Sequence, residues 1–196
     1  MATPLIGVPM AVGLVLALSA AAPRVPPGQT AREPQPEVAD VSTDHLKLRY
    51  VRALEAAPGE RLSLVVEIEP RARMHVYAPG AGDYQVIALA LDDRPFIRSL
   101  PLTYPPSEIY VFEPLNERVP VYQKPFKLIQ NIVLEDGPET LAALRAGGTS
   151  PTVTGTLEYQ ACDDRICFRP VSIPLAWIII LRPAAGRSPV APAAQP

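Results

Sequence analysis

Two cysteines carry the clearest chemistry in this sequence. Cys162 and Cys167 are the only cysteines, and four residues separate them. Strand-like residues precede the first and follow the second, so the simplest geometry is a hairpin with a four-residue loop. Residues opposed across an antiparallel pair have Cα atoms about 4.5 to 5.5 Å apart, a separation that a disulfide can close. The spacing therefore predicts a disulfide across a hairpin.

The spacing alone leaves the role of such a disulfide open. As a structural staple, a loop this short contributes roughly 2 kcal/mol and joins neighbours that the ladder already holds together. As a redox pair, a short bond at an exposed hairpin tip is accessible to a partner thiolate and belongs to the labile class. Metal handling by the reduced thiols is a weaker third interpretation, because two cysteines and two scattered histidines do not make a zinc site. No metal and no cofactor are expected.

The residues around the cysteines have two interpretations each. Arg165 would stabilise a thiolate, whereas Asp163 and Asp164 would oppose one. All three are equally well explained as solvated turn residues. Tyr159 and Phe168, which flank the pair, suit cross-strand packing as well as partner docking.

The elements that must position the cysteines are β-strands, because apolar residues recur with a period of two. Three such faces are Leu46, Leu48 and Tyr50; Leu62, Leu64, Val66 and Ile68; and Phe126, Leu128, Ile132 and Leu134. Runs at 153–161 and 171–180 bring the number to about eight short strands, which predicts an all-β antiparallel sandwich. One short helix is expected at 139–146, before a pair of glycines.

The ends of the chain differ in composition from its middle. Before the first charged residue, Arg24, the chain is apolar and closes with small residues, so residues 1–22 are expected to be a signal peptide. An uncleaved membrane anchor is the alternative. Residues 23–42 are Pro-rich and polar and predict a flexible linker, and residues 184–196 predict a disordered tail. The expected domain is therefore 43–183, exported to a compartment where disulfides persist.

Charge excludes some classes of partner. The 18 basic residues are scattered among 20 acidic ones, for a net charge of −2. A nucleic-acid interface or a membrane-binding patch needs clustered basic residues. Neither nucleic acid nor membrane is expected as a partner of the mature domain.

Three segments of the chain carry a resemblance to a known family. The most specific is Tyr-Gln-Ala-Cys-Asp-Asp-Arg-Ile-Cys-Phe-Arg-Pro at 159–170. It resembles the cysteine hairpin of the N-terminal periplasmic domain of DsbD, the thiol:disulfide interchange protein, and is closest to stand-alone versions of that domain. Membrane-linked versions carry one more residue between the cysteines. Met74-His75-Val76-Tyr77 resembles the strand beside the cysteines, and 104–126 resembles the region of a cap loop that shields the disulfide. Together the resemblance covers roughly 43–182.

The resemblance implies an immunoglobulin-like sandwich that passes reducing equivalents. A thioredoxin-like Cys-x-x-Cys partner would reduce it, and it would reduce oxidised periplasmic proteins, including disulfide isomerases and cytochrome c maturation factors. Cys162 and Cys167 would be the redox pair, with Cys162 forming the mixed disulfide and Cys167 resolving it. The implied protein is a periplasmic monomer whose reductant is a separate protein. A non-catalytic binding sandwich with a structural disulfide is the alternative.

The resemblance also implies residues that surround the pair. His75 and Tyr77 would share a strand face near the cysteines, where His75 either relays a proton near neutral pH or only packs. Phe112 and Leu115, apolar residues in an otherwise polar turn, are the candidates for the cap loop.

Overall fold

The computed structural model describes residues 37–112, 116–138, 141–142 and 150–182. Within them the chain forms thirteen strands, five more than the approximate number expected from the sequence. The strands are β1 Val38–Ser42, β2 Leu46–Val51, β3 Ala53–Ala56, β4 Arg61–Pro70, β5 His75–Tyr77, β6 Ala88–Leu91, β7 Ile97–Ser99, β8 Glu108–Phe112, β9 Glu117–Tyr122, β10 Phe126–Leu134, β11 Thr152–Tyr159, β12 Ala161–Cys162 and β13 Val171–Leu181. Five of them (β3, β5, β6, β7 and β12) are two to four residues long, too short for alternation to be visible.

The strands form two larger sheets and a third, smaller one. The first sheet has the order β1-β2-β4-β10-β7, the second β3-β13-β11-β6, and the third β12-β5-β9-β8. All of these pairings are antiparallel except that of β3 with β13. One continuous buried cluster contains apolar side chains from both larger sheets, which therefore pack face to face. The all-β, immunoglobulin-like antiparallel sandwich is confirmed.

The period-two faces of the sequence point into this core. In β4, Leu64, Val66 and Ile68 are fully buried, and the β2 residues opposite Val66 and Ile68 in the register are also buried. In β10, Gln130 occupies a core position between apolar neighbours. Its side-chain amide donates to the Leu100 and Asn131 carbonyls, and these bonds offset the cost of burying a polar group.

Residues 38–42 form a strand and not part of the expected flexible linker. They form β1, which pairs with β2 from Val38↔Val51 to Ser42↔Lys47. Ala39 and Val41 alternate with exposed residues and pack against the core, so the strand buries an apolar edge. The Pro-rich composition of the stretch as a whole concealed this five-residue alternation.

The transition from β11 to β12 positions the cysteines. β11 pairs with β13 as far as Tyr159↔Val171, but after Gln160 the chain moves to the third sheet, where Ala161 pairs with Val76. The Gln160 side chain donates to the Phe168 carbonyl at 3.0 Å, and the Phe168 N–H donates to the Ala161 carbonyl at 2.8 Å. These bonds close the base of the cysteine hairpin at the edge of the third sheet.

Several expectations fall on segments outside the described residues. These are the signal peptide at 1–22, most of the linker, the tail at 184–196 and most of the helix at 139–146. Of that helix, the Leu141 N–H donates to the Gly137 carbonyl at 3.0 Å, which is one helical hydrogen bond. No helix among the described residues has the length and hydropathy needed to cross a membrane.

Candidate functional site

The two cysteines form a disulfide across the predicted hairpin. Cys162 and Cys167 face each other in an antiparallel bridge, and the Asp163 N–H donates to the Ile166 carbonyl at 3.0 Å within the loop. The two sulfur-bearing residues differ in exposure. Cys162, on β12 of the third sheet, is 2% exposed, whereas Cys167 is exposed. The bond is therefore accessible mainly through Cys167.

The acidic residues of the loop have structural partners. The Asp163 carboxylate accepts from the backbone N–H groups of Ile166 (2.8 Å) and Arg165 (2.7 Å), and these bonds lower its pKa. The Asp164 carboxylate accepts from the Arg73 guanidinium at 2.9 Å. Arg73 has a left-handed backbone, with φ of 67°. The carboxylates therefore shape the loop and anchor it to the turn before β5.

We expect the loop to lose its order only in strong acid. A lowered folded-state pKa means that the Asp163 bonds are fully present above the ordinary aspartate value, about 3.9, and are lost as the pH falls through the lowered one. In NMR spectra, the Arg165 and Ile166 amide signals should move together only below that ordinary value. Asp163→Ala should displace both signals at every pH and remove their movement in acid. A midpoint at or above about 3.9 would contradict this account.

Tyr77 is in contact with both sulfur atoms. Its hydroxyl oxygen lies 3.1 Å from Cys162 Sγ and 3.2 Å from Cys167 Sγ, and the residue is 3% exposed. Burial, together with the nearby Tyr84 and Glu117, raises the pKa of Tyr77. The hydroxyl therefore stays protonated at neutral pH and is available for hydrogen bonding at the disulfide.

His75 lies directly across the ladder from Cys162. It is 3% exposed, and its ring packs at 4.4 Å from the Tyr110 ring and edge-on to the Tyr77 ring. Burial lowers its pKa, although Asp164 and Asp163 act in the opposite direction. His75 is therefore neutral at pH 7 and packs beneath the site. The expected placement of His75 and Tyr77 on β5 beside the cysteines is what the structure has.

A cavity of about 170 Å³ opens beside the disulfide. Aromatic side chains dominate one wall, and the other is the cysteine loop with Arg165 and Ile166. Ile166 is 57% exposed at its rim. Among the described residues, no group of three or more His, Cys, Asp and Glu side chains is placed to hold a metal.

The cap-loop candidates have different outcomes. Phe112 lines the cavity, but it is the last residue of β8 and not part of a turn. It ends a run of strand-forming residues, Ile-Tyr-Val-Phe, whose β-branched and aromatic side chains favour the extended backbone. Leu115 lies outside the described residues.

Tyr159 and Phe168 lie on the core side of the hairpin. Tyr159 is fully buried, and its hydroxyl is hydrogen-bonded to the Thr43 hydroxyl at 2.9 Å. Phe168 is partly buried and packs 4.5 Å from the His45 ring. Neither residue lines the cavity. Of the two interpretations of this pair, the structure favours packing.

Six residues at the site were absent from the sequence-based set: Arg73, Tyr84, Tyr110, Glu117, Val119 and Ile166. Tyr110 lies two residues before Phe112 on β8, so the alternation of the strand would have placed both on one face. Tyr84 stacks on Tyr77 with ring centroids 4.2 Å apart, and its hydroxyl donates to Glu117 at 2.8 Å. Tyr84 and Arg73 lie in loops, where no periodic signal exists.

Comparisons with known proteins find similarity among solved structures. No family model matches the chain, and no curated protein matches it either. Among solved structures it is similar to the N-terminal periplasmic domain of ScsB from Proteus mirabilis, with 11% sequence identity and a TM-score of 0.48. The match covers 72% of this chain and 51% of that one, so this chain spans about half the length of the solved structure. A similarity at this level does not assign an activity.

Proposed function

We propose that this chain is a periplasmic thiol:disulfide exchange protein. It passes reducing equivalents between a thioredoxin-like partner and oxidised periplasmic proteins through Cys162 and Cys167. The observation that carries the proposal is the asymmetry of the disulfide, with Cys167 exposed and Cys162 buried against the Tyr77 hydroxyl. The resemblance of the cysteine hairpin to the DsbD N-terminal domain supplies the partner class and the periplasmic location.

The exposure of the cysteines favours an order of attack opposite to the one expected from the resemblance. A partner thiolate attacks Sγ of Cys167, the exposed residue of the pair, the disulfide breaks, and Cys162 leaves as a thiolate. A second partner thiol then attacks the partner's sulfur in the mixed disulfide and releases Cys167. The partner is oxidised to a disulfide, and this chain has gained two electrons and two protons. The same steps in reverse reduce an oxidised target.

The site contains features that suit transient exchange. Ile166 and the exposed Cys167 lie together at the rim, so a docking partner would meet an apolar surface beside the reacting sulfur. The leaving Cys162 thiolate would remain under Tyr77, whose hydroxyl is close enough to donate to it. A hydrogen bond to a thiolate favours the charged form.

We expect the Cys162–Cys167 bond to be labile in the folded protein. An exposed disulfide that a thiolate can reach has a reduction potential above about −300 mV, the value below which structural disulfides usually lie. Equilibration against defined thiol buffers, with mass spectrometry after alkylation, measures this potential. Circular dichroism of the reduced protein and of a Cys162→Ser/Cys167→Ser variant shows whether the fold survives.

The alternative function gives the opposite results. A non-catalytic binding sandwich with a structural staple predicts a potential below about −300 mV, or unfolding on reduction. It also predicts that the double serine variant loses roughly 2 kcal/mol of stability but keeps its partner binding. Either a low potential or reductive unfolding would overturn the exchange proposal.

A further inference from the structure

The walls of the cavity beside the disulfide come largely from one face of the third sheet. Residues directly opposite each other in an antiparallel ladder share a face, and β9 lies between β5 and β8. The pairs Cys162 with His75 and Glu117 with Phe112 are therefore on the same face. The aromatic residues that line the cavity are His75, Tyr77, Tyr84, Tyr110 and Phe112. The reacting sulfurs thus adjoin a predominantly aromatic wall.

This wall includes one carboxylate, that of Glu117. The residue is half-buried, and its Oε2 accepts from the Tyr84 hydroxyl at 2.8 Å. Within the part of the chain that the structure describes, Oε1 of Glu117 has neither a hydrogen bond nor an ion pair. Aromatic faces and carboxylates both attract cations, and the attraction increases where water is partly excluded. The wall therefore offers a cation an unused acceptor oxygen beside aromatic rings.

The other charged groups at the cavity leave it negative. Asp163 also lines the cavity, and its carboxylate accepts from two backbone N–H groups. Arg165 brings a positive charge to the lining, but it is an exposed residue of the cysteine loop, where water and salt screen that charge. His75 is neutral at pH 7 because burial lowers its pKa. Two carboxylates against one solvated guanidinium favour a cationic occupant.

Resting on the proposed function, we infer that this cavity is a cation subsite that selects disulfide substrates with an ammonium group close to the reacting sulfur. The ammonium group lies against the aromatic wall and pairs with Glu117, which is a specificity-determining residue of the exchange. The cavity volume of about 170 Å³ is sufficient for an aminoalkyl group. Two kinds of substrate carry this chemistry: a free aminothiol disulfide, and a protein disulfide with a lysine next to one of its cysteines.

The selected reaction balances in atoms and electrons. The Cys167 thiolate of the reduced chain attacks the substrate disulfide, whose S–S bond breaks and whose first half leaves as a thiolate. The second half, now bonded to Cys167, places its ammonium group in the cavity. The Cys162 thiolate then attacks Cys167 Sγ, the Cys162–Cys167 bond forms, and the second half leaves. The chain loses two electrons and two protons, and the substrate becomes two thiols.

The experiment compares small disulfides of similar size and different charge. The reduced full chain is mixed at pH 7 with an excess of cystamine, whose aminoethyl groups are cationic, or of bis(2-hydroxyethyl) disulfide, which is neutral. Mass spectrometry of acid-quenched samples follows the mixed disulfide and the closed Cys162–Cys167 bond. The two reagents differ in intrinsic reactivity because their leaving thiols differ in pKa. This difference cancels when the cystamine-to-neutral rate ratio of a variant is divided by that of the unchanged protein.

Glu117→Gln removes the carboxylate charge and nearly keeps the side-chain shape. It should lower the rate ratio about fivefold, as expected for a partly exposed ion pair supported by aromatic contacts. Two further measurements test the charge without changing Glu117. Arg165→Gln removes the opposing cation and should raise the ratio about twofold, and about 0.5 M salt should lower it. Glu108, which pairs with Lys124 on β8, gives the matched control Glu108→Gln, and its ratio should be unchanged.

A second pair of substrates distinguishes the two sources of the ammonium group. These are the symmetric disulfides of two end-blocked dipeptides, cysteinyl-lysine and cysteinyl-glutamine. A preference for cystamine that depends on Glu117 assigns the subsite to free aminothiols, and one confined to the lysine dipeptide assigns it to protein disulfides. If neither cationic reagent is preferred, or if Glu117→Gln keeps the whole preference, the inference is overturned and the proposed function stands. Reduced wild-type protein that none of these disulfides oxidises would refute the proposed function itself.

Discussion

Cys167→Ser is expected to abolish disulfide exchange, whereas Cys162→Ser should leave a thiol that still attacks and then stalls. The reason is access, since Cys167 is an exposed residue and Cys162, which contacts the Tyr77 hydroxyl, is 2% exposed. With glutathione disulfide as the target, Cys162→Ser should accumulate a stable glutathione adduct at Cys167. We expect the adduct to form on the order of 100-fold faster than the adduct at Cys162 in Cys167→Ser.

Mass spectrometry of acid-quenched samples measures both rates. Alkylation in denaturant is the control, because unfolding should make the two lone thiols react equally fast if burial is the cause of the difference. Circular dichroism of each variant excludes misfolding. If the lone Cys162 of the folded protein reacts as fast as the lone Cys167, the order of attack expected from the family resemblance stands and ours is wrong.

The sandwich was predictable because its long strands bury one face each. Leu46 and Leu48 of β2 pack opposite Ile68 and its neighbours in β4, and their alternation is a local property of the sequence. The hairpin was predictable for the same reason, since the two cysteines and their loop are contiguous in the chain. Local signals of this kind predict a strand correctly whenever one side of that strand faces the core.

The third sheet and its cavity depend on contacts between residues that are distant in the chain. Tyr77 contacts Tyr84 across a loop and Cys167 across 90 positions of the chain. The spacing of these residues in the sequence does not indicate that they are in contact. The two-residue β12 is also invisible as a pattern. The cysteines are unequally buried because β12 pairs with β5 in the third sheet, and this pairing leaves no pattern in the sequence. The order of attack therefore could not be derived from the sequence.

The charged residues of the cysteine loop illustrate a second limit of prediction from the sequence. From the sequence, Asp163 and Asp164 are negative charges beside a thiolate, and their effect is electrostatic. In the structure, Asp163 accepts two backbone N–H groups, and Asp164 is paired with Arg73. Residue type and proximity in the chain predicted a pKa effect on the cysteines. The partners that determine how these charges act lie in a different turn or in the backbone itself.

Trp177→Ala should cause the largest loss of stability, about 3 to 5 kcal/mol. Trp177 is fully buried on β13, pairs with Val153 of β11, and packs at 5.3 Å from the Tyr50 ring of the opposite sheet. Its removal would leave a cavity between the two larger sheets. Since domains of this size are stable by only about 5 to 15 kcal/mol, the variant should remain folded but melt about 10 °C or more below the unchanged protein.

Two further variants show whether the cavity is the cause. Trp177→Phe keeps an aromatic ring against Tyr50 and removes an indole N–H that has no hydrogen-bond partner among the described residues, so it should cost only about 1 kcal/mol. Ile180→Ala changes a 40% exposed residue of the same strand and should cost less still. Urea titrations at neutral pH give all three values. A Trp177→Ala cost near that of Ile180→Ala would mean that the sandwich does not depend on this contact.

Because the disulfide lies on the third sheet, the folded fraction of Trp177→Ala should exchange thiols at the unchanged rate. A slower rate would show that the core and the site are energetically coupled.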